Sequence, residues 1–340
     1  MVSIIINNYN YGRFLTEAID SALQQNYSPI EVIVVDDGSI DNSSKIISNY
    51  GNRIVSIFQN NQGQVSAINT GFAASKGDII CFLDADDIFF KHKVTKIVPI
   101  FNSDSDIGWC FHSLRLVDLD TKTTFGKTRM FPNPNLVKVA KKYDLRQEIK
   151  RGKLSIYLPS TSGLCFKRSV LEQILPMPVT FIKTSGEYYL RPVAVLLSPG
   201  FILTEALCAQ RIHGENAGTK IKHQRRKHAR GIVIAYLLRI NFPQIKKFTN
   251  RMFARNLINY WKNFTSIPEY QTFIKNYFAL TSLKEKINIY LRAIYCSFPF
   301  RKMYTHQLSK IHSISLVKSN SFQNKQHRTD QNYDLRSADD

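Results

Sequence analysis

The stretch Gly77-Asp-Ile-Ile-Cys-Phe-Leu-Asp-Ala-Asp-Asp87 sets the reading of the whole chain. Ile79 to Leu83 are continuously apolar, the pattern of a strand buried on both faces of a parallel sheet. Three carboxylates follow within four positions, Asp84, Asp86 and Asp87. Like charges so close repel one another unless a cation lies between them. A strand ending in carboxylates puts them at the carboxyl edge of a sheet, where open α/β sheets bind ligands. Hard divalent ions take oxygen ligands and are commonly shared with substrate phosphates. Taken alone, the stretch therefore reads as a metal-diphosphate site or, more blandly, as a polar turn, since Asp is frequent in turns.

Upstream, the same pattern recurs. Val2 to Ile6 is a short apolar run closed by Asn7, Asn8 and Asn10, and residues 13–25 have helical spacing. Glu31-Val-Ile-Val-Val35 is a second buried strand ending in Asp36-Asp37-Gly38-Ser39, with Asp41 placed to cap a helix reaching about Tyr50. Ile54 to Phe58 is a third strand, and 62–75 a helix with Val65, Ile68 and Phe72 on one side. Alternating strands and helices predict a doubly wound, mostly parallel α/β sheet flanked by helices. Right-handed crossovers put Asn8, Asp36, Asp37 and Asp84 on one edge.

Beyond a helix near 91–101 the pattern changes. Residues 107–111 and 114–119 read as two strands, and 121–153 as a long polar excursion of the kind that is often functional. Residues 158–171 read as a strand leading into a helix, and Phe201 to Ile212 as a strand. Helices are expected over 225–240, 244–264, 269–280 and 283–295, separated at Pro243 and Pro268. Polar residues dominate from Lys318, so 318–340 reads as a disordered tail.

With 44% hydrophobic and 21% charged residues, the 340-residue chain has the composition of a folded protein with a sizeable core. Five scattered cysteines without a CxxC pair point to reduced thiols and a cytoplasmic setting, and exclude a cysteine-built metal site. No apolar run reaches membrane-spanning length. The net charge of +20 is uneven: residues 1–120 hold 8 Lys/Arg against 14 Asp/Glu, so the basic excess lies in the remainder. That asymmetry suits an anionic partner, such as membrane headgroups or a lipid diphosphate, or a generally basic solubilising surface. Nucleic acid is a weak third choice, because no nucleic-acid module is visible. There is no Walker loop, no complete GxGxxG after the first strand and no GxSxG elbow, which argues against a nucleoside triphosphatase, a dehydrogenase or a Ser-His-Asp hydrolase. Aromatics interleave with Lys/Arg at Phe242, Phe248, Phe253, Tyr260, Trp261, Phe264, Tyr277 and Phe278. This pattern fits either a helical cap with an aromatic core or an interfacial surface on an anionic membrane.

Several of these segments stand together in a familiar order. Ser3-Ile-Ile-Ile-Asn-Asn-Tyr-Asn-Tyr-Gly12, Ser21-Ala-Leu-Gln-Gln-Asn-Tyr27, Glu31-Val-Ile-Val-Val-Asp-Asp-Gly-Ser39, Asn61-Gln-Gly-Gln64 with Asn69-Thr-Gly71, and Leu83-Asp-Ala-Asp-Asp87 resemble the motifs of glycosyltransferase family 2. Ser162-Gly163 to Arg168, Glu187-Tyr-Tyr-Leu190 and Arg211-Ile-His-Gly-Glu-Asn216 resemble its acceptor-side elements. The resemblance covers about residues 1–218. It departs at Asn7-Asn8, where the family often has Pro-Thr or Pro-Val, and at Glu187, where it often has Asp.

The resemblance implies a GT-A, Rossmann-like nucleotide-sugar domain over 1–218; beyond it, composition and spacing alone mark a basic helical region over 219–317. It implies transfer of a sugar from a nucleoside-diphosphate donor to a hydroxyl of a polysaccharide, O-antigen or lipid-linked acceptor, with inversion and with Mg²⁺ or Mn²⁺ as cofactor. Asn8, Tyr9, Asp36 or Asp37, Gln64 and Asp84 would bind the donor. Asp86 and His213 would hold the metal, and Glu187 would be the general base, with Glu205 a weaker rival. The implied setting is the cytoplasm, peripheral to the inner face of a membrane. The alternative is a non-catalytic sugar-nucleotide-binding protein acting at a membrane surface through its basic half.

Overall fold

The structure, a computed structural model, describes residues 1–118, 124–129, 141–156, 158–180, 186–213, 216, 221–263 and 268–297. In chain order the first elements are β1 (Val2–Asn8), α1 (Gly12–Leu23), β2 (Ile30–Asp36), α2 (Ser43–Ser48), β3 (Val55–Phe58), α3 (Gln64–Ala74), β4 (Ile79–Asp84), β5 (Ile88–Phe89) and α4 (Lys93–Ser103). There follow β6 (Trp109–Asp118), β7 (Thr124–Arg129), β8 (Lys141–Tyr143), α5 (Arg146–Lys150), β9 (Leu164–Lys167), α6 (Arg168–Leu171), α7 (Glu187–Leu197) and β10 (Gly200–Ile212). The chain then becomes helical, with α8 (Ile221–Asn241), α9 (Lys246–Asn263), α10 (Pro268–Ala279) and α11 (Leu283–Ser297).

One sheet carries the architecture, in the order β3-β2-β1-β4-β9-β6-β10-β5, with β7 on β6 and β8 on β10. The β3-β2-β1-β4 half is parallel, as its buried apolar strands require. Beyond β4, the strand β9 runs antiparallel to both β4 and β6, while β10 is parallel to β6. Period-two alternation divides the core. Ile5, Ile33, Val35, Ile80 and Phe82 pack under α3 and α7 on one face. Ile4, Ile6, Val32, Val34, Cys81 and Leu83 pack under α1, α2 and α4 on the other. Both faces are covered, so neither can be polar, and this explains the unbroken apolar runs.

Two expectations need correcting. The two strands predicted over 107–111 and 114–119 are one ten-residue strand, β6. His112 and Ser113, which looked like a break, are fully buried inside it, and the pairing with β10 shifts register beside them. Burial, with the nearby Lys93 charge, pushes the His112 imidazole toward its neutral form. The helix expected after Asp41 has Asn42 at its N-cap position. The Asp41 carboxylate instead accepts the Ser43 N–H at 3.0 Å and the Gly12 N–H at 2.9 Å, tying together the starts of α1 and α2.

The four expected C-terminal helices are present, and Pro268 opens α10. Most of their aromatics are core residues. Phe253 and Tyr277 stack at 3.8 Å in a cluster with Tyr260 and Tyr270, and Phe242 and Phe248 pack on the sheet domain. Ile234, Leu238 and Ile245 share the core that contains Trp109, so the helical region is seated on the sheet. Trp261 remains half-exposed. Phe264, the tail 318–340 and much of the 121–153 excursion lie outside the described residues.

Candidate active site

Strand register assembles the site. β1 lies between β2 and β4, pairing Asn8 with Asp36 and Asn7 with Asp84. Three strands thus end together, and their last side chains meet. Asn8 Nδ2 donates to Asp36 Oδ1 at 2.7 Å, and Asn7 Nδ2 donates to Asp84 Oδ1 at 3.2 Å. Tyr9 follows directly, 46% exposed. The side-chain Oδ1 atoms of Asn7 and Asn8 are buried and have no hydrogen-bond partner among the described residues.

Asp36 and Asp37 are both buried, and each carboxylate accepts three hydrogen bonds from the chain itself. Asp36 accepts from the Ser39 hydroxyl at 2.5 Å as well as from Asn8. Asp37 accepts from Gln59 Nε2 at 2.7 Å, from Gln62 N–H at 2.9 Å and from Gly63 N–H at 2.6 Å, fixing the loop that starts α3. Between them and that loop lies Gly38, at φ +75, where a Cβ would stand 2.8 Å from the Asn61 nitrogen. Only glycine suits both constraints. Gln64, first residue of α3, donates to Asp84 Oδ1 at 3.0 Å.

The carboxylate triplet is arranged unevenly. Asp87 is buried, accepting the Ser162 hydroxyl at 2.6 Å and the Arg211 N–H at 3.1 Å. The Ser162 oxygen also receives the Asp84 N–H at 3.1 Å, and Lys93 Nζ donates to the Ser162 carbonyl at 3.0 Å. Asp86 points the other way. Its Oδ2 lies 3.1 Å from His213 Nε2 and 3.0 Å from Asn216 Nδ2. His213 follows the end of β10, its ring tilted against that of Phe14 with centroids 4.7 Å apart, and the Arg13 guanidinium is 3.4 Å from its Nδ1. Asn216 also holds the backbone of this turn, bonding Arg211 O and His213 N.

Burial, and after it crowded negative charge, dominates the electrostatics. Burial of its carboxyl, then the Asp86 charge, pushes Asp84 up to about 7, with Glu187 adding to the effect and the Asn7 and Gln64 bonds opposing it. Burial, then Asp86 and Asp84, drives Asp87 well above the usual carboxylate range. This charge is what a divalent cation would relieve. Among the described residues no three His, Cys, Asp or Glu side chains converge as a closed metal cage. The donor set Asp86 and His213 fits instead an ion whose remaining ligands are substrate oxygens and water.

Glu187 opens α7 and is half-buried, close enough for its charge to act on Asp84. The preceding Gly186 packs on α3, where a Cβ would stand 3.1 Å from Ile68. Arg191, one turn on, is buried and donates to the carbonyls of Leu158 and Pro159 at 3.0 and 2.5 Å, fastening α7 to the segment that carries Ser162. Glu205 is instead engaged on α4, 3.3 Å from Lys96 and 3.5 Å from His92. Asn69 exchanges two 2.9 Å bonds with the Met177 backbone, a loop-holding role. Ser162 and Asn216 lie within motifs legible in the sequence, whereas no sequence motif marks Lys93 or Arg191, whose partners are distant in the chain.

The sheet, its acidic strand end and the histidine brought to it from beyond β10 make a ligand-binding edge of an α/β fold, and comparison with known proteins gives its class. The glycosyl transferase family 2 model matches residues 3–175. An uncharacterized glycosyltransferase of Nostoc sp. is 36% identical over 255 residues, 71% of this chain and 77% of that protein. An uncharacterized glycosyltransferase of Rickettsia prowazekii is 42% identical over 102 residues, 30% of this chain and 32% of that protein. Among solved structures, S. aureus TarS 1-349 in complex with UDP-GlcNAc superposes with a TM-score of 0.57 at 18% identity, covering 87% of this chain and 79% of that one, a likeness of fold. The chain belongs to glycosyltransferase family 2 and has the GT-A fold. It is a glycosyltransferase, and among its described residues no helix is long and apolar enough to cross a membrane.

Proposed function

We propose that residues 1–218 transfer a sugar from a nucleoside-diphosphate donor to a hydroxyl of a saccharide or lipid-linked acceptor in envelope polysaccharide synthesis, with inversion. The appended basic helices of 219–317 would serve at a membrane surface. The observation carrying this reading is the acidic rim, where Asp86 meets His213 and Asp84 meets Asn7 and Gln64, beside the unpartnered side-chain amide oxygens of Asn7 and Asn8. Unsatisfied buried acceptors at a strand edge are suited to donor groups of a ligand. Nucleotide base and ribose fit the edge formed by Tyr9, Asn8, Asp36 and Asp37. With each acid already accepting three bonds from the chain, their part is to shape the cleft and to offer the acceptor capacity that remains. Gln64 and Asp84 lie where the sugar-phosphate would enter.

Asp86 and His213 would hold Mg²⁺ or Mn²⁺. When bound, that ion supplies Lewis-acid neutralisation of the leaving diphosphate. Glu187, on α7 across from Asp84, takes the proton of the acceptor hydroxyl as its oxygen attacks the anomeric carbon opposite the diphosphate. One displacement inverts the configuration. Arg191 keeps α7, and with it Glu187, at a fixed distance from the acidic rim.

The test is nucleoside-diphosphate release from a panel of UDP- and GDP-sugars with manganese and candidate acceptors. Stereospecific transfer by the native enzyme and none by Asp86→Ala is the expected result. Full activity of Asp86→Ala would refute the assignment.

A further inference from the structure

The helical region carries an apolar surface that the transferase reading does not use. On α11 the residues Leu283, Ile287, Tyr290 and Leu291 follow the spacing of one helix face, and they are 74%, 52%, 44% and 60% exposed. The inward side of the same helix is also apolar, with Ile289 and Ala293 buried against the other helices. Helix α11 is therefore apolar on two sides. One is needed for folding and the other is not. Trp261 of α9, itself 50% exposed, stacks on Tyr290 at 6.4 Å and widens the outer row. A contiguous row of large apolar side chains on a surface marks an interaction site.

The surrounding charge identifies the occupant. Residues 221–297 contain fifteen Lys/Arg against two Asp/Glu. On the α11 helical wheel Lys284 and Lys286 fall on either side of the row. A second copy would bring the same positive field against this one, which costs several kcal/mol for like-charge juxtapositions, on the order of magnitude seen at interfaces. An anionic lipid surface fits both features. Aliphatic chains receive Leu and Ile, Trp and Tyr suit the headgroup level, and flanking lysines reach the phosphates. Each Lys or Arg near such a surface adds roughly 1 kcal/mol.

We propose that α11, with Trp261 of α9, lies in the interface of an anionic phospholipid membrane and docks the enzyme there. The proposal rests on the membrane-surface reading of the helical region given above and assigns it to this one face; it stands apart from the identity of donor and acceptor, so a failure to float leaves sugar transfer untouched. The test is flotation of the full chain with phosphatidylcholine vesicles containing or lacking about a third phosphatidylglycerol, a composition chosen to give a negative surface potential. The native protein should float with the anionic vesicles, and high salt should reduce its flotation. The double variant Ile287→Glu/Leu291→Glu should lose at least about tenfold in partitioning, since it puts two charges where apolar area was buried. Unchanged circular dichroism and melting temperature would show that the variant is folded, as expected for exposed positions. Failure of the native chain to float, equal flotation on neutral vesicles, or undiminished flotation of the folded double variant would each overturn the proposal. So would a dimer seen by light scattering that the double variant abolishes, because the face would then belong to a second copy.

Discussion

His213 Nε2 and Asp86 Oδ2 lie 3.1 Å apart although 127 positions separate them in the chain. Asp86 lies in the turn that follows β4, near the middle of the sheet, and His213 follows the end of β10, which is separated from β4 in the sheet by β9 and β6. If the pair holds a divalent ion, chelation by EDTA and Asp86→Ala should give the same phenotype, at least about a thousandfold loss of transfer. His213→Ala should be milder, raising the manganese concentration for half-activity about 10–100-fold, the scale of losses around metal ligands. A metal titration of initial rates checks both.

Glu187→Gln should lower kcat by about 10²–10⁴-fold while leaving the donor KM within a few-fold, because it removes proton transfer and keeps shape. Steady-state kinetics at saturating acceptor decide this. An unchanged kcat would move the base elsewhere, and Glu205, held on α4 by Lys96 and His92, is poorly placed to inherit the role.

Ser162 joins the Asp84 N–H to the Asp87 carboxylate with one oxygen. Ser162→Ala would leave the buried Asp87 oxygen without its hydroxyl donor. It should cost about 1–3 kcal/mol of stability and reduce kcat through a displaced acidic rim. Denaturant unfolding and kinetics on the same preparation measure the two effects. Ser162→Thr, keeping the hydroxyl, should recover part of each.

Glu285 reports on the helical region. Burial would raise its carboxyl, but the bonds from Arg239, the Ser282 N–H and Asn250 outweigh this and draw it down to about 2. A depressed folded-state value means that the stabilisation is complete above the unfolded value of about 4.5 and is lost as pH falls from there toward 2. Glu285→Gln should therefore melt lower than the native chain at neutral pH, by roughly 2 kcal/mol for charge-assisted bonds. The difference should shrink as pH drops below about 4.5, which melting curves taken across the acid range would reveal.

Gly200 opens β10 against the face of Trp109, where an added Cβ would stand 1.9 Å from the ring. Trp109 is fully buried, stacked on Phe111 at 4.5 Å and bonded through Nε1 to the Ser198 carbonyl at 3.0 Å, so it has nowhere to go. Gly200→Ala should destabilise by about 3 kcal/mol or more, as overpacking of a filled core does. Unfolding in urea would show the shift in midpoint.

What the sequence settled by itself was local. Runs such as Ile4–Ile6, Val32–Val35 and Ile79–Leu83 are apolar throughout because both sheet faces are covered, and each ends in the polar residues that reach the edge. Their order and crossover handedness suffice to gather Asn8, Asp36 and Asp84, so the acidic rim could be read without coordinates. Tertiary structure decided the rest, because it depends on pairs distant in the chain. It set which way each carboxylate turns, with Asp86 toward His213 and Asp87 inward to Ser162. It fastened α7 through Arg191 to two loop carbonyls, and it made one strand of two apparent ones around the buried His112. It also divided the aromatics of the helical region. Periodicity shows that Tyr277 and Tyr290 lie on apolar faces, but only packing shows that the first is sealed in a core and the second faces outward. Hydrophobic pattern records that a face is apolar, whereas burial depends on what the rest of the chain brings against it.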